Sequence, residues 1–426
     1  MKLDIHLEGA WHACAVVEPT TENLSIQSAV RIRYEADYAL RHLLAQDYRA
    51  LTVRAPVDLG VRQLAHWPSF LVDLLPQGAA RRRIERDSPA PLSPWTLLER
   101  GAVNPVGNLR VHPVPPRLAP ADHPGFDLQE MIERGDVFVD YALALGAAVA
   151  GATDTQGDAP KFWIVEDEHG RWHPDSGALG FCPRRHALLK FPVTEAGARA
   201  EDILRHEGVY QKVAQRCGLR VTDELPIFSA GALLIPRFDR RVIGGREIRL
   251  GVESLYSVAG VIDSAASTLR HDQALIALAQ HVTDFPREFH EYVRRDLLNL
   301  ALGNRDNHGR NAALLKEVDG TIALAPIYDF GPAYLDARAI ARVIHWDGEE
   351  PGGGNWRRVC QLLDTRFEEA GLRRPSSWFA AAAAQTVAQL RTLPDLLREC
   401  GADEHVVDRR RPEIERLTAA LTELGG

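Results

Sequence analysis

The chain has 426 residues, with 50 Lys and Arg against 58 Asp and Glu and a formal net charge of -8. That balance speaks against charge-driven nucleic-acid binding by the chain alone, which leaves a basic footprint. A hydrophobic fraction of 45% and a charged fraction of 25% exclude disorder, collagen and coiled coil as overall descriptions. The length allows two to four domains.

In chain order, Met1-Lys2-Leu3-Asp4-Ile5-His6 alternates polar and apolar residues, reads as a first strand, and lacks the apolar core of a signal peptide. Leu51-Thr52-Val53-Arg54 reads as another strand. Phe70 to Leu75 has helical periodicity, stopped by Pro76 and Gly78. The proline-dense stretch 112–126 reads as a linker. A helix-like segment (about 127–150) precedes the loop 151–160. Strands are expected at Lys161–Val165 and Ala187–Phe191, then a helix over 201–217. Two further strands, Ala232–Ile235 and Glu247–Leu250, flank a turn containing Gly244-Gly245. From about 273 onward the pattern is mainly helical, including the alanine-rich Phe379–Ala384. No run approaches the roughly 18 apolar residues of a membrane helix. Five widely spaced cysteines without a C-x-x-C signal neither a disulfide framework nor a zinc site, and a reducing cytoplasm fits them.

The most informative stretch is Gly303-Asn304-Arg305-Asp306-Asn307-His308-Gly309-Arg310-Asn311. A strand follows, then the hairpin signal Asp319-Gly320, then a strand from Thr321 to Ala325 leading into Tyr328-Asp329-Phe330-Gly331. The hairpin returns Asp329 to the side of Asn311. Phosphoryl transfer needs such a set: one carboxylate to orient or deprotonate the attacking hydroxyl, and two oxygen ligands for Mg²⁺. Asp306 and Asn311 have the spacing of the protein-kinase catalytic loop, and Asp329-Phe330-Gly331 spells its metal motif, although Asn304-Arg305 departs from His-Arg. Upstream, Ala187-Leu188-Leu189-Lys190 resembles the lysine strand of kinases, and Glu207 on the next helix is placed to be its ion-pair partner. Singly, each element is an ordinary turn, strand end or solvated helix residue; their order gives them weight. A rival reading compares Gly303–His308 with the Gly-Asn-His loops of two-metal phosphoesterases. The D-x-H triplets Asp4-Ile5-His6 and Asp167-Glu168-His169 lack further ligands at close spacing, so chance accounts better for both.

Together these residues resemble the HipA-like kinases of bacterial toxin–antitoxin systems. The D-x-H-x-x-N loop of that family corresponds to Asp306, His308 and Asn311, and its Y-D motif to Tyr328-Asp329. Leu188-Leu189-Lys190-Phe191-Pro192 and Arg237-Phe238-Asp239-Arg240 are similar to its lysine strand and its R-F-D-R segment. Phe70 to Gly78 with Arg83, and Val106-Gly107-Asn108-Leu109, resemble its N-terminal "N-L-L-P-E-G…R" and "V-G-A-L" segments. The resemblance implies an α+β, two-lobed protein-kinase-like fold, with a small mixed α/β N-terminal domain over 1–115, an N-lobe over 116–245 and a mainly helical C-lobe over 246–426. It implies transfer of the ATP γ-phosphoryl to a protein hydroxyl. Asp306 would be the base, His308 a loop support, and Asn311 and Asp329 the Mg²⁺ ligands. Lys190, paired with Glu207, would contact the phosphates, Lys161 and the Gly157 loop would cover them, and Phe238 and Asp239 would lie at the nucleotide. Relatives are growth-inhibiting toxins, some acting on an aminoacyl-tRNA synthetase, and are held by a helix-turn-helix antitoxin that binds the operator. DNA contact would then be indirect. One departure stands out: aligned on Lys161, Asp154 occupies the position of the family's autophosphorylating serine, and an alternative alignment on Val149-Ala150-Gly151-Ala152 puts Ala148 there, while Asp158 adds negative charge to the nucleotide loop. These favour an alternative, a catalytically weak ATP-binding partner of a repressor. A metal-dependent phosphohydrolase is the second alternative. Thr153 or Thr155 would be the substitute phosphate acceptors.

Overall fold

The computed structural model describes residues 1–76, 78–86, 88–102, 104–112, 124–133, 138, 161–175, 180–192, 198–262, 269–336, 340–350 and 354–424. Five antiparallel strands open the chain: β1 Lys2–Leu7, β2 Ala10–Pro19, β3 Val30–Tyr34, β4 Val61–Leu64 and β5 Leu109–His112, in the order β4-β3-β2-β1-β5. One face of this sheet buries Leu3, Ile5 and Val17 against Trp67, Leu71 and Leu98. The polar residues of β1 are covered as well. Asp4 is bonded to Arg110 at 3.0 Å, and Arg249 lies over the Trp11 ring beside His6. Leu51–Arg54 does not form a strand. It turns back on itself with a bridge from Thr52 to Ala55, because Glu253 takes the Thr52 hydroxyl and the Val53 N–H. Among the four helices here, α1 Ala36–Arg41, α2 Ser69–Asp73, α3 Gly78–Arg86 and α4 Pro94–Gly101, Gly78 starts α3 instead of closing the helix before it.

Most of the expected linker and helix over 112–150 falls outside the described residues, which retain α5 Leu128–Ile132. A second antiparallel sheet follows, ordered β7-β6-β8-β10-β9, from β6 Lys161–Asp167, β7 Trp172–Pro174, β8 Pro183–Lys190, β9 Ile227–Ser229 and β10 Ala232–Pro236. Helix α6, Ala198–Arg216, packs on it. Gly244-Gly245 does make a hairpin, but between β11 Arg240–Ile243 and β12 Arg246–Arg249, so β10 has other partners than expected. Both glycines have positive φ, 58° and 74°, as a tight two-residue turn requires.

The remaining chain is built around a three-stranded sheet, β13 Gly251–Ser254, β14 Ala313–Lys316 and β15 Ile322–Leu324. The helices are α7 Leu255–Ala259, α8 His271–Ala279, α9 Phe285–Leu302, α10 Trp356–Glu369, α11 Ser376–Leu390, α12 Leu393–Glu399 and α13 Glu404–Thr422. Their apolar stripes meet in the largest core, where Phe289, Leu297, Phe367 and Phe379 are fully buried. The β14–β15 hairpin turns at Asp319-Gly320 as expected, with the Asp319 carboxylate accepting from Thr321 N–H at 2.8 Å. The α+β, two-lobed architecture thus places α6 and the second sheet above, and the catalytic-loop candidates below, one cleft. Among the described residues no helix is long and apolar enough to cross a membrane.

Candidate active site

Lys190 ends β8 facing inward, and α6 brings Glu207 to it at 2.7 Å; the same amine also meets the Asp329 carboxylate. Lys190 is 3% exposed. Burial alone would lower its pKa, but Asp329 and Glu207 outweigh that and hold it above the usual lysine value. Burial likewise opposes the charge on Asp329, and Lys190 with Lys161 reverses this and depresses its pKa. Lys161 stands directly across the β6–β8 ladder from Lys190. Its pKa is lowered by burial and by the neighbouring Lys190 charge. Asp329 itself has a left-handed backbone, φ 47°, which costs a non-glycine residue roughly 1–2 kcal/mol. The Lys190 pair and the buried Phe330, whose ring sits 5.6 Å from Tyr210, hold it there.

The catalytic-loop residues form a compact turn. Gly303, at φ 70°, ends α9, and a side chain there would strike Tyr334. Within the loop, Asn311 N–H donates to His308 O at 2.9 Å, and Asn311 Nδ2 donates to Asp306 O at 2.8 Å. His308 Nδ1 accepts from Arg310 N–H at 3.2 Å, which assigns the ring proton to Nε2, 3.4 Å from Asp306 Oδ1. His308 therefore braces the loop. Tyr328 OH donates to Arg310 O at 2.6 Å and ties the Asp329 turn to this loop. Burial raises the pKa of Asp306; His308 opposes the shift and Asp329 adds to it.

Lys190, Glu207 and Asp329 line an open cleft of about 1220 Å³, while Asp306, His308 and Asn311 line a smaller cavity beside it that shares Ile327 and Tyr328. Phe238 and Tyr328 line the open cleft with rings stacked 5.4 Å apart, beside Trp163 and Ile235. Asp239 lines the same cleft. Its carboxylate accepts from Arg237 at 2.7 Å, Arg240 at 2.6 Å and the Gly107 N–H at 2.8 Å, so it braces the wall. Sequence reasoning missed that the N-terminal sheet domain completes this cleft with Phe70, Asp73 and Val106. Asp73, its pKa raised by burial to about 6, accepts from Ser254 N–H at 3.0 Å and Ser254 OH at 2.7 Å. Nothing local marks these residues as cleft-lining. Gly157, with Thr153, Asp154, Thr155 and Asp158, lies outside the described residues.

The donor set suits a hard divalent cation and a nucleotide triphosphate. Among the described residues Asn311 Oδ1 is buried without a hydrogen-bond partner, a costly state that an ion would relieve, and the Asp329 carboxylate supplies a second hard oxygen. The Asp residues of the two D-x-H triplets are occupied elsewhere: Asp4 by Arg110 and His112, and Asp167 by His173 and the turn amides of His169 and Arg171.

Comparison with known proteins bears on the family and the fold. Residues 153–392 match the family model of the HipA-like C-terminal domain. HipA of Shewanella oneidensis MR-1, solved as a complex with HipB and its operator DNA, superposes with a TM-score of 0.68 at 15% identity over 99% of each chain. The Helicobacter pylori proinflammatory kinase CtkA overlaps 57% of this chain and 89% of its own, at 13% identity and a TM-score of 0.36. No curated protein sequence gives a match.

Proposed function

The chain belongs to the HipA-like family, and from that premise we propose that it is a Mg²⁺-dependent protein serine/threonine kinase. The observation that carries this reading is the buried Lys190–Glu207–Asp329 group in the cleft, with Asp306 and the Asn311 oxygen on a loop tied to the Asp329 turn through Tyr328 and Arg310. The substrate hydroxyl donates its hydrogen bond to Asp306, which takes the proton as the new bond to the γ-phosphorus forms and the bond to the β–γ bridging oxygen breaks, releasing ADP. The raised pKa of this carboxyl makes it a better proton acceptor than an ordinary aspartate. Lys190, kept charged by its two carboxylates, exchanges part of that pairing for the phosphates of ATP. Lys161 approaches the same phosphates from β6, and Phe238 and Tyr328 receive the adenine. Asn311 and Asp329 would hold Mg²⁺, which neutralises phosphate charge when bound.

The substrate is a protein hydroxyl, and the family likeness favours a translation component such as an aminoacyl-tRNA synthetase, with growth inhibition as the outcome. The Shewanella protein was solved with HipB and operator DNA, which supports a helix-turn-helix antitoxin as partner here. DNA contact then runs through that partner, in keeping with the net charge of -8. An ATP-dependent enzyme of this kind acts in the cytoplasm.

Incubating purified protein with γ-labelled ATP, Mg²⁺ and bacterial extract tests the reading, with Asp306→Ala in parallel. A labelled protein band that vanishes in the variant is the expected result. Binding of MgATP without transfer would favour the regulatory partner, and ATP turnover without a labelled protein would favour the phosphohydrolase.

A further inference from the structure

Helix α6 delivers Glu207 to Lys190, so whatever fixes this helix fixes the lysine. On the turn before Glu207, Asp202, Arg205 and His206 meet Asp403 and His405 at the start of α13. Asp202, His206 and Asp403 have the make-up of a metal site, with ligand atoms within 4.8 Å of one another. The space is already filled by a side-chain cation. Arg205 reaches both oxygens of Asp403, and Asp202 at 2.8 Å. Both ring nitrogens of the fully buried His206 are also engaged, Nδ1 at 2.9 Å from Asp202 O and Nε2 accepting from Asp403 N–H at 3.2 Å. A metal ion would have to evict the guanidinium. The cluster is a clamp between two helices, with His405 Nε2 adding a link to Asp202 at 3.1 Å.

Successive residues of a helix are about 100° apart around its axis, so His206 and Glu207 restrain different faces. Lys190 holds one face and the α13 clamp another. In the next turn, Tyr210 OH donates to Leu302 O at 2.9 Å and Gln211 Nε2 to Ile327 O at 3.1 Å.

We propose that Arg205 and Asp403 are positioning residues of the phosphoryl-transfer site, which hold Glu207 against Lys190 by docking α6 on the start of the last helix. The inference rests on the kinase reading and deepens it: the seating of α13 sets how Lys190 is presented to the phosphates.

The test compares Arg205→Ala, Asp403→Ala and the exchanged pair Arg205→Asp with Asp403→Arg in the full chain. It reads kcat, KM for MgATP, melting temperature, and amide hydrogen exchange over 198–210. Each single variant is expected to lower kcat/KM by about tenfold, the order of coupling within one ion-pair network, and to speed exchange around Glu207. The exchanged pair is expected to recover most of both. A lower melting temperature with unchanged kinetics and unchanged exchange at Glu207 would reduce the clamp to a structural contact and overturn the proposal. Should the wild type transfer no phosphate, the kinase reading fails by itself. The exchange data and calorimetric MgATP affinity then decide the clamp, and no change in either single variant refutes it.

Discussion

Lys190 shows how one buried cation organises a site. Its amine satisfies two carboxylates that would otherwise be stranded in the cleft, and they in turn keep it charged. Removing one partner of such a group is far costlier than removing the group, because the remaining charges stay buried. Lys190→Met is therefore expected to lose MgATP binding and also about 3–5 kcal/mol of stability, read by calorimetry and urea unfolding. Adding Glu207→Gln should restore part of the stability and none of the binding. If Lys190→Met leaves stability untouched, the lysine is not the counter-ion described. Asn311 is the complementary case. Its amide nitrogen holds the loop through Asp306 O, while its oxygen stays unpartnered, so one side chain both shapes the loop and offers a ligand.

The elements around the cleft are cut to length by residues with special backbone demands. Helix α9 stops at the left-handed Gly303, eight residues before Asn311, so the catalytic loop starts directly from a rigid element. Gly309 sits where an added Cβ would lie 2.5 Å from the Tyr256 ring. Gly309→Ala must push the loop off α7, and a displacement near 1 Å costs on the order of a hundredfold in rate. That loss is expected in kcat, together with a rise in KM for MgATP, because Asn311 in the same loop is placed to hold Mg²⁺ and Tyr328 is tied to it through Arg310. Combining it with Tyr256→Leu should recover part of the rate in steady-state assays. A Gly309→Ala enzyme as fast as the wild type would show that the close packing has no bearing on the loop. The β14–β15 hairpin plays the matching role for Asp329, returning the chain over a short span to the loop it left.

Taken whole, the molecule makes its site from parts far apart in the chain. Glu253 holds Thr52 and Val53, Lys316 donates to Ala50 O at 3.0 Å, Asp239 holds Gly107, and Arg249 donates to Asn104 at 2.8 Å. These polar ties are buried, so the N-terminal domain is expected to be inseparable from the cleft. A chain starting at residue 124 should bind no MgATP by calorimetry, and wild-type affinity in that fragment would refute this. Acid stability belongs to the same scale. Burial lowers the pKa of His271 from the ordinary 6.5 to about 3, where it contacts Tyr292 OH at 2.8 Å and stacks on Trp346. Between those two values the unfolded chain binds a proton that the folded one refuses, so stability falls as pH drops from about 6.5 towards 3. One such group contributes a slope of about 1.4 kcal/mol per pH unit. Urea unfolding from pH 4 to 7 should show a shallower acid limb in His271→Asn, by about one proton. An unchanged slope would mean that His271 titrates normally.

Asp306, His308, Asn311 and Asp329 were readable from the chain because a loop and one short hairpin hold them, and turn residues with strand alternation report such local geometry directly. Lys190 and Glu207 were readable from their order along the chain. Strand alternation was misleading at Leu51–Arg54, where Glu253, 200 residues away, takes the backbone N–H that a ladder would have used. The same blindness hid Phe70, Asp73 and Val106 in the cleft, the engagement of Asp239, and the Arg205–Asp403 contact across 198 residues. Periodicity and turn chemistry depend on neighbours within a few residues, and so the chain declares its elements and the loop that carries Asp306 and Asn311. Which distant group satisfies a buried donor, carboxylate or cation is decided when the elements pack, and that choice exists only in the tertiary structure.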